Sequence, residues 1–245
     1  MAVMTKGRRM DVSNFIIHLS RDFKPDHKKA DDNLIQILKK KTIIAKNYHC
    51  LFSDVIQKSG LDKSIKSMFK TTCFTETPID QIKNLIDATE NRKILLKGFG
   101  LIFRRAKFLK DGGNPAIYVN GNNELKRELI DEFSSIIAKA EQYTQEKRRF
   151  HLIDKCAKFY SLVNIISPRY DFAWEREWRF VGDYKFEYDD IVAIIADSPA
   201  SFREKLARNS SKLAEYSLLE KIPIISTEWN HEELIDELCS SRRSD

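Results

Sequence analysis

Much that would mark a familiar nucleotide enzyme is missing from this chain. No G-x-G-x-x-G opens a helix after a strand pattern, and no G-x-x-x-x-G-K-[ST] occurs, which disfavours a Rossmann cofactor domain and a P-loop. Glycine and proline are sparse, 8 and 6 in 245 residues, so collagenous and low-complexity classes drop out. The four cysteines, Cys50, Cys73, Cys156 and Cys239, are scattered without paired spacing. That suits reduced thiols better than a disulfide framework or a zinc site. No apolar run approaches the roughly 18 residues of a membrane span, and no basic start leads into an apolar signal region. The cytoplasm is the expected compartment. No internal repeat is evident.

Basic charge is plentiful and uneven. The net charge is +6, and residues 1–50 hold eleven Lys and Arg against five Asp. Residues 91–110, NRKILLKGFGLIFRRAKFLK, add seven basic residues and no acidic one. Such a surface attracts polyanions, nucleic acid or a dinucleotide among them, or is simply a solvated charged face.

The pattern along the chain is α+β without a steady βαβ rhythm. Residues 1–10 are expected to be flexible. SNFIIHL (13–19) reads as a strand, and Ala30 onward as a helix with Leu34, Ile35 and Leu38 on one face. TTCFTET (71–77) reads as a strand closed by Pro78, followed by a helix over Ile79–Ala88. AIYV (116–119) is another strand. Asn122 or Asn123 caps a helix with apolar positions from Leu125 to Ala140. A further helix is predicted over His151–Ile166, then strands near Trp178–Val181 and Ile191–Ala196. A helix from Ser201 to Tyr216, a strand at Ile222–Ser226 and a helix at His231–Cys239 complete the set. Together these predict one domain over residues 1–245, with 186–245 as a C-terminal αβ extension. Its sheet is expected to be central, mostly antiparallel and split, with inserted helices.

Two stretches place carboxylates inside strand patterns. In WEREWRF (174–180), a continuous strand puts Glu175, Glu177 and Arg179 on one face and Trp174, Arg176, Trp178 and Phe180 on the other. The glutamate face is either a wet face with an ion pair or the wall of a cleft built on an aromatic anchor. In CFTETP (73–78), Glu76 shares parity with Phe74. If Phe74 packs inward, Glu76 needs a partner or a cleft, since an unpaired buried carboxylate is costly. If Cys73 and Thr75 face inward, Glu76 is exposed. Thr75 and Thr77 can donate to a ribose or phosphate, or serve β-propensity alone. His18 ends the first strand as a packed, hydrogen-bonded histidine, and Tyr118 is a half-buried aromatic whose hydroxyl reaches a cleft edge. No serine or cysteine has an identifiable base partner, so a nucleophilic triad lacks support.

The ordered set FIIHL (15–19), ILKKKTI, CFTETP, GFGLIF (98–103), GGNPAIYV (112–119) and EREWR (175–179) resembles the AbiGi-type family of bacterial abortive-infection proteins. The similarity is strongest over residues 13–185. More distantly, a histidine on the first strand and a lone glutamate on a late strand resemble the ADP-ribosyltransferase fold of DNA-modifying toxins in anti-phage systems. That second resemblance implies NAD as cofactor and Glu177 as the catalytic carboxylate. It implies that His18 holds the nicotinamide-side ribose and that Thr75 or Tyr118 lines the nicotinamide pocket; Arg21 can pair with a cofactor phosphate. Glu76, Glu175, Arg104, Arg105 and Arg179 fall to the acceptor side, with nucleic acid as the implied acceptor. A fixed carboxylate suits this chemistry by stabilising positive character at the ribose C1′ and accepting a proton.

Two other readings stand beside it. One is a metal-dependent nuclease using Glu76, Glu175, Glu177 and Asp183. The other is a non-enzymatic antitoxin or sensor that binds a defence partner, for which CFTETP and EWR are scaffold. A cognate antitoxin or chaperone is a possible partner of the enzyme reading.

Overall fold

A computed structural model describes residues 13–22, 29–89, 96–146, 152–167 and 173–240. The expectation of flexibility at residues 1–10 lies outside the described residues. The first strand, β1 (Phe15–Arg21), leads to α1 (Ala30–Lys40) and the short β2 (Thr42–Ile43). Two short helices follow, α2 (Ser53–Lys58) and α3 (Lys63–Ser67), then β3 (Thr71–Thr75) and α4 (Ile82–Asp87). The nine-residue β4 (Leu96–Arg104) runs into α5 (Arg105–Asp111), β5 (Asn114–Pro115) and β6 (Ile117–Asn120). Next come α6 (Glu124–Gln145), α7 (Ile153–Tyr160), β7 (Val163–Ile166), β8 (Glu177–Val181) and β9 (Tyr184–Lys185). The chain finishes with β10 (Ile191–Ile195), α8 (Pro199–Arg208), α9 (Tyr216–Leu219), β11 (Ile224–Ile225) and α10 (His231–Ser240). The architecture is mixed α+β with mostly antiparallel strand pairing, as the sequence suggested.

These elements form two compact units interleaved along the chain. The first comprises residues 1–41, 74–111 and 186–245, the second residues 42–73 and 112–185. In the first unit β4 lies between β1 and β10, antiparallel to both, while β11 runs parallel to β10. Ile17 of β1 pairs with Thr75 at the end of β3. Ile17, Leu19, Ile82, Leu85, Ile102, Ala193, Ile195 and Ile225 make one apolar cluster. Period-2 alternation in β1 sends Ile17 and Leu19 into it and leaves Ile16, His18 and Ser20 on the opposite face. α1 forms for the reasons its sequence gives: buried Leu34, Ile35 and Leu38, Asp31 and Asp32 in the first turn, Lys39 and Lys40 in the last. It ends on Lys41 in the left-handed conformation, φ 47°, whose N–H bonds the Ile37 and Leu38 carbonyls. Gly100 lies close against the backbone of β1. A Cβ there would stand 2.5 Å from the His18 carbonyl oxygen, closer than any side chain allows.

In the second unit β5 pairs antiparallel with β8, β2 pairs antiparallel with β9, and β6 pairs parallel with β7. Parallel partners need a long crossover, and α6 and α7 supply it. Asn123 caps α6 by accepting the Lys126 N–H. The core holds Phe52, Phe69, Phe133 and Tyr160, with Phe52–Phe133 and Phe133–Tyr160 ring centroids 4.6 and 4.7 Å apart.

Three sequence expectations need correction. The helix predicted over 151–166 stops at Tyr160, because Val163, Ile165 and Ile166 are β-branched and pair as a strand with β6. The helix predicted from Ser201 to Tyr216 ends at Arg208 and is followed by a 3-10 turn and α9. WEREWRF is not one strand. Ala173–Glu175 form a 3-10 turn, Arg176 is left-handed with φ 48°, and the strand begins at Glu177. Glu175 therefore does not share a strand face with Glu177.

Candidate functional site

Glu177 and Arg179 do share a face, and it is buried. The Arg179 side chain is 0% exposed and that of Glu177 12%. Arg179 Nε donates to Glu177 Oε1 at 3.0 Å and Nη2 to Oε2 at 2.9 Å, while Nη1 donates to the Ser161 carbonyl at 2.9 Å. The Tyr118 hydroxyl donates to Glu177 Oε2 at 2.9 Å. Both carboxylate oxygens of Glu177 thus accept hydrogen bonds from groups of the protein.

Local structure explains the convergence. β8 pairs with β5 through Asn114↔Arg179 and Pro115↔Trp178, and the Ala116 N–H donates to the Glu177 carbonyl at 2.9 Å. Tyr118, two residues on in β6, is carried to the carboxylate by that continuation. Ser161 follows α7, which brings its carbonyl under the guanidinium.

The electrostatics follow from burial and pairing. Burial works to raise the Glu177 pKa, but Arg179, with hydrogen bonds from Arg179, Cys73 and Tyr118, outweighs it and leaves the carboxyl below its ordinary value of 4.5. Burial pushes the Tyr118 hydroxyl up, and the Glu177 charge adds to the shift. Burial likewise holds the Cys73 thiol well above its usual range, reinforced by Glu177, so the thiol stays protonated and hydrogen-bonds to the Glu177 carboxylate. The sequence reading missed Cys73 and Ser161 as members of this group. Parity along β3 was the one available signal for Cys73, and nothing in the sequence signals the Ser161 carbonyl.

The first unit holds a separate pair. Phe74 and Glu76 are both buried, and the Arg105 guanidinium pairs with the Glu76 carboxylate. Phe74 packs on Phe108 at 4.4 Å and faces the His18 ring at 5.5 Å. The inward-Phe74 alternative is the one realised, with Arg105 as the partner it required. Thr75 and Thr77 hydrogen-bond each other at 2.7 Å, and the Thr77 N–H donates to Thr75 Oγ1 at 3.0 Å. Arg21 ends β1, its carbonyl accepting from Asn33 Nδ2 at 2.8 Å. Arg104 is exposed at the end of β4.

In the second unit Asp183 Oδ1 accepts the Ala45 N–H at 2.7 Å, and Glu175 sits in the 3-10 turn before β8. Among the described residues no three His, Cys, Asp or Glu side chains gather to hold a metal ion. No helix among them is long and apolar enough to cross a membrane.

Residues 73–228, more than half of the chain, match the family described as "Putative abortive phage resistance protein AbiGi, antitoxin". The match runs from the CFTETP strand to just beyond β11 and includes both the Glu76–Arg105 and the Glu177–Arg179 pairs. No curated protein and no solved structure matches the chain at a significant level. By the extent of the family match, this chain belongs to the AbiGi family of abortive phage resistance.

Proposed function

We propose that this protein is the antitoxin of an abortive phage-resistance pair, binding a cognate protein toxin and holding it inactive. The family match over residues 73–228 carries this reading, through its description as an antitoxin. The chemistry of Glu177 is consistent with it. A carboxylate whose two oxygens already accept from Arg179 and Tyr118 serves as internal cross-bracing. A group acting on substrate needs an oxygen available to the reacting atoms.

Co-expression with a candidate cognate toxin tests the proposal. Growth should be restored, and the two proteins should co-elute as a complex on gel filtration. Incubation of the purified chain with labelled NAD and separate RNA, DNA and protein pools is the opposing arm. Label transfer by the wild type, absent from Glu177→Gln, would instead support an ADP-ribosyltransferase with the implied fold and NAD cofactor. Cutting of nucleic acid only when Mg²⁺ or Mn²⁺ is added would support the nuclease.

A further inference from the structure

The last helix is attached differently from the other long helices. α1, α6, α7 and α8 each bury at least two side chains. No described side chain of α10 is fully buried. Leu234 on its inner side packs against the apolar cluster of the first unit. On the outer side Glu232, Ile235, Asp236 and Cys239 fall at i, i+3, i+4 and i+7, and all four are exposed. Ile235 is 61% exposed, the most of any large apolar side chain among the described residues. Glu232 and Asp236, which bracket it, make no ion pair among the described residues. The helix contains Glu232, Glu233, Asp236 and Glu237 without a Lys or Arg, in a chain of net charge +6.

The same unit presents a face of the opposite sign. On α5, Ala106, Leu109 and Lys110 fall at i, i+3 and i+4 and are exposed, and Arg104 is exposed just before the helix. Leu109 is 49% exposed. Arg104 and Lys110 form no ion pair among the described residues, whereas the neighbouring Lys107 is taken by Asp111 and Asp190. One exposed aliphatic side chain set among unpaired acids is thus matched by another set among unpaired bases.

We infer that these faces are complementary halves of a contact between two copies of this chain. α10 of one copy seats on α5 of the other, with Ile235 against Leu109 and with Glu232 and Asp236 against Lys110 and Arg104. A two-fold axis makes the contact twice, since in an isologous pair each copy offers both halves. Charge complementarity is the reason for choosing a second copy as occupant, because both signs are present on this chain and, among the described residues, these four groups form no ion pair. Exposed ion pairs are individually weak and screened by salt, so the dimer is reversible and salt-sensitive.

Sedimentation velocity over a range of concentrations, at low and high salt, tests this. The wild type should dimerise reversibly, less so at high salt. The E232K/D236K variant and the R104E/K110E variant should each dimerise about tenfold more weakly or worse, because like charges then face each other. An equimolar mixture of the two variants should dimerise again, since each supplies the face the other needs, and this recovery also shows that both remain folded. A wild type that stays monomeric at every concentration and salt overturns the inference. So does a dimer indifferent to both reversals, or a mixture that does not recover. A monomer whose toxin complex is abolished by E232K/D236K would assign α10 to the toxin instead, and would leave the antitoxin reading intact.

Discussion

Arg179 stands two residues after Glu177 on one strand face, and its guanidinium grips that carboxylate through two nitrogens at 3.0 and 2.9 Å. With its third nitrogen on the Ser161 carbonyl, the fork joins β8 to the turn after α7, while Tyr118 ties in β6. A fully buried guanidinium depends on such saturation, because an unpaired ion in the interior is costly.

Breaking this pair should therefore cost stability. Glu177→Gln and Arg179→Met should each lower unfolding free energy by about 3–5 kcal/mol, the range for stranding one member of a buried pair. The double variant should lose less than the sum of the two. Urea denaturation of the four proteins gives the coupling directly. Losses below about 1 kcal/mol for both single variants would show the pair to be dispensable.

Acid should act through the same carboxylate. The Glu177 pKa is lower in the folded protein than its ordinary value of 4.5. The stability it contributes is fully present above that ordinary value and is lost as pH falls through the depressed folded value. Urea midpoints measured from about pH 6 down to about pH 3 should fall more steeply in wild type than in Glu177→Gln, which has no proton to take up there. Parallel curves would assign the acid sensitivity to other groups.

Two glycines of β4 should respond differently to alanine. At Gly100 the new Cβ meets the His18 carbonyl oxygen at 2.5 Å, and backbone in a paired strand cannot step aside. At Gly98 the clash is with Asp197 Oδ1 at 1.9 Å, the end of an exposed side chain that can rotate. Gly100→Ala should cost about 1–3 kcal/mol by overpacking. Gly98→Ala should cost clearly less, and less again with Asp197→Ala. Thermal denaturation ranks the three, and equal losses at both glycines would contradict the distinction.

Lys41 offers a test of backbone conformation. Its left-handed φ of 47° favours glycine, yet its ammonium pairs with Glu187 at 2.7 Å and with Glu215, and lies 4.7 Å from the Tyr188 ring centroid. Both glutamates raise the Lys41 pKa, Glu187 foremost. Lys41→Ala should lose the pairs and keep the strain, while Lys41→Gly loses the pairs and relieves it. The glycine variant should be the more stable of the two by about 1 kcal/mol in urea denaturation. An alanine variant equal to it would mean the cap carries no strain.

The sequence was most legible where one period dominates. α1 and α6 begin where the apolar period and the asparagine cap placed them, and the Glu76 alternatives stated the right condition, a buried Phe74 with a partner for the acid. Legibility failed where a single residue resets the geometry. Left-handed Arg176 splits WEREWRF, so Glu175 loses the parity with Glu177 that the letters suggest. Short apolar runs failed for another reason: VNII at 163–166 fits a helix end as well as a strand until β6 lies beside it. The fork on Glu177 was half visible, since i, i+2 spacing brings Arg179 to its side. Tyr118 and Ser161 arrive only through strand pairing and chain reversal, which no local pattern encodes.

The interleaved course of the chain also bears on how it is made. The second unit draws its last residues from Lys185, whereas the first still lacks β10 and β11 at that point and cannot flank β4 until they emerge. During synthesis the later-starting unit can therefore close first, while the second edge of β4 waits for β10 from the C-terminal segment. A chain cut after Lys185 would retain every segment of one unit and leave the other with an unpaired, hydrophobic strand edge, the feature most prone to aggregate.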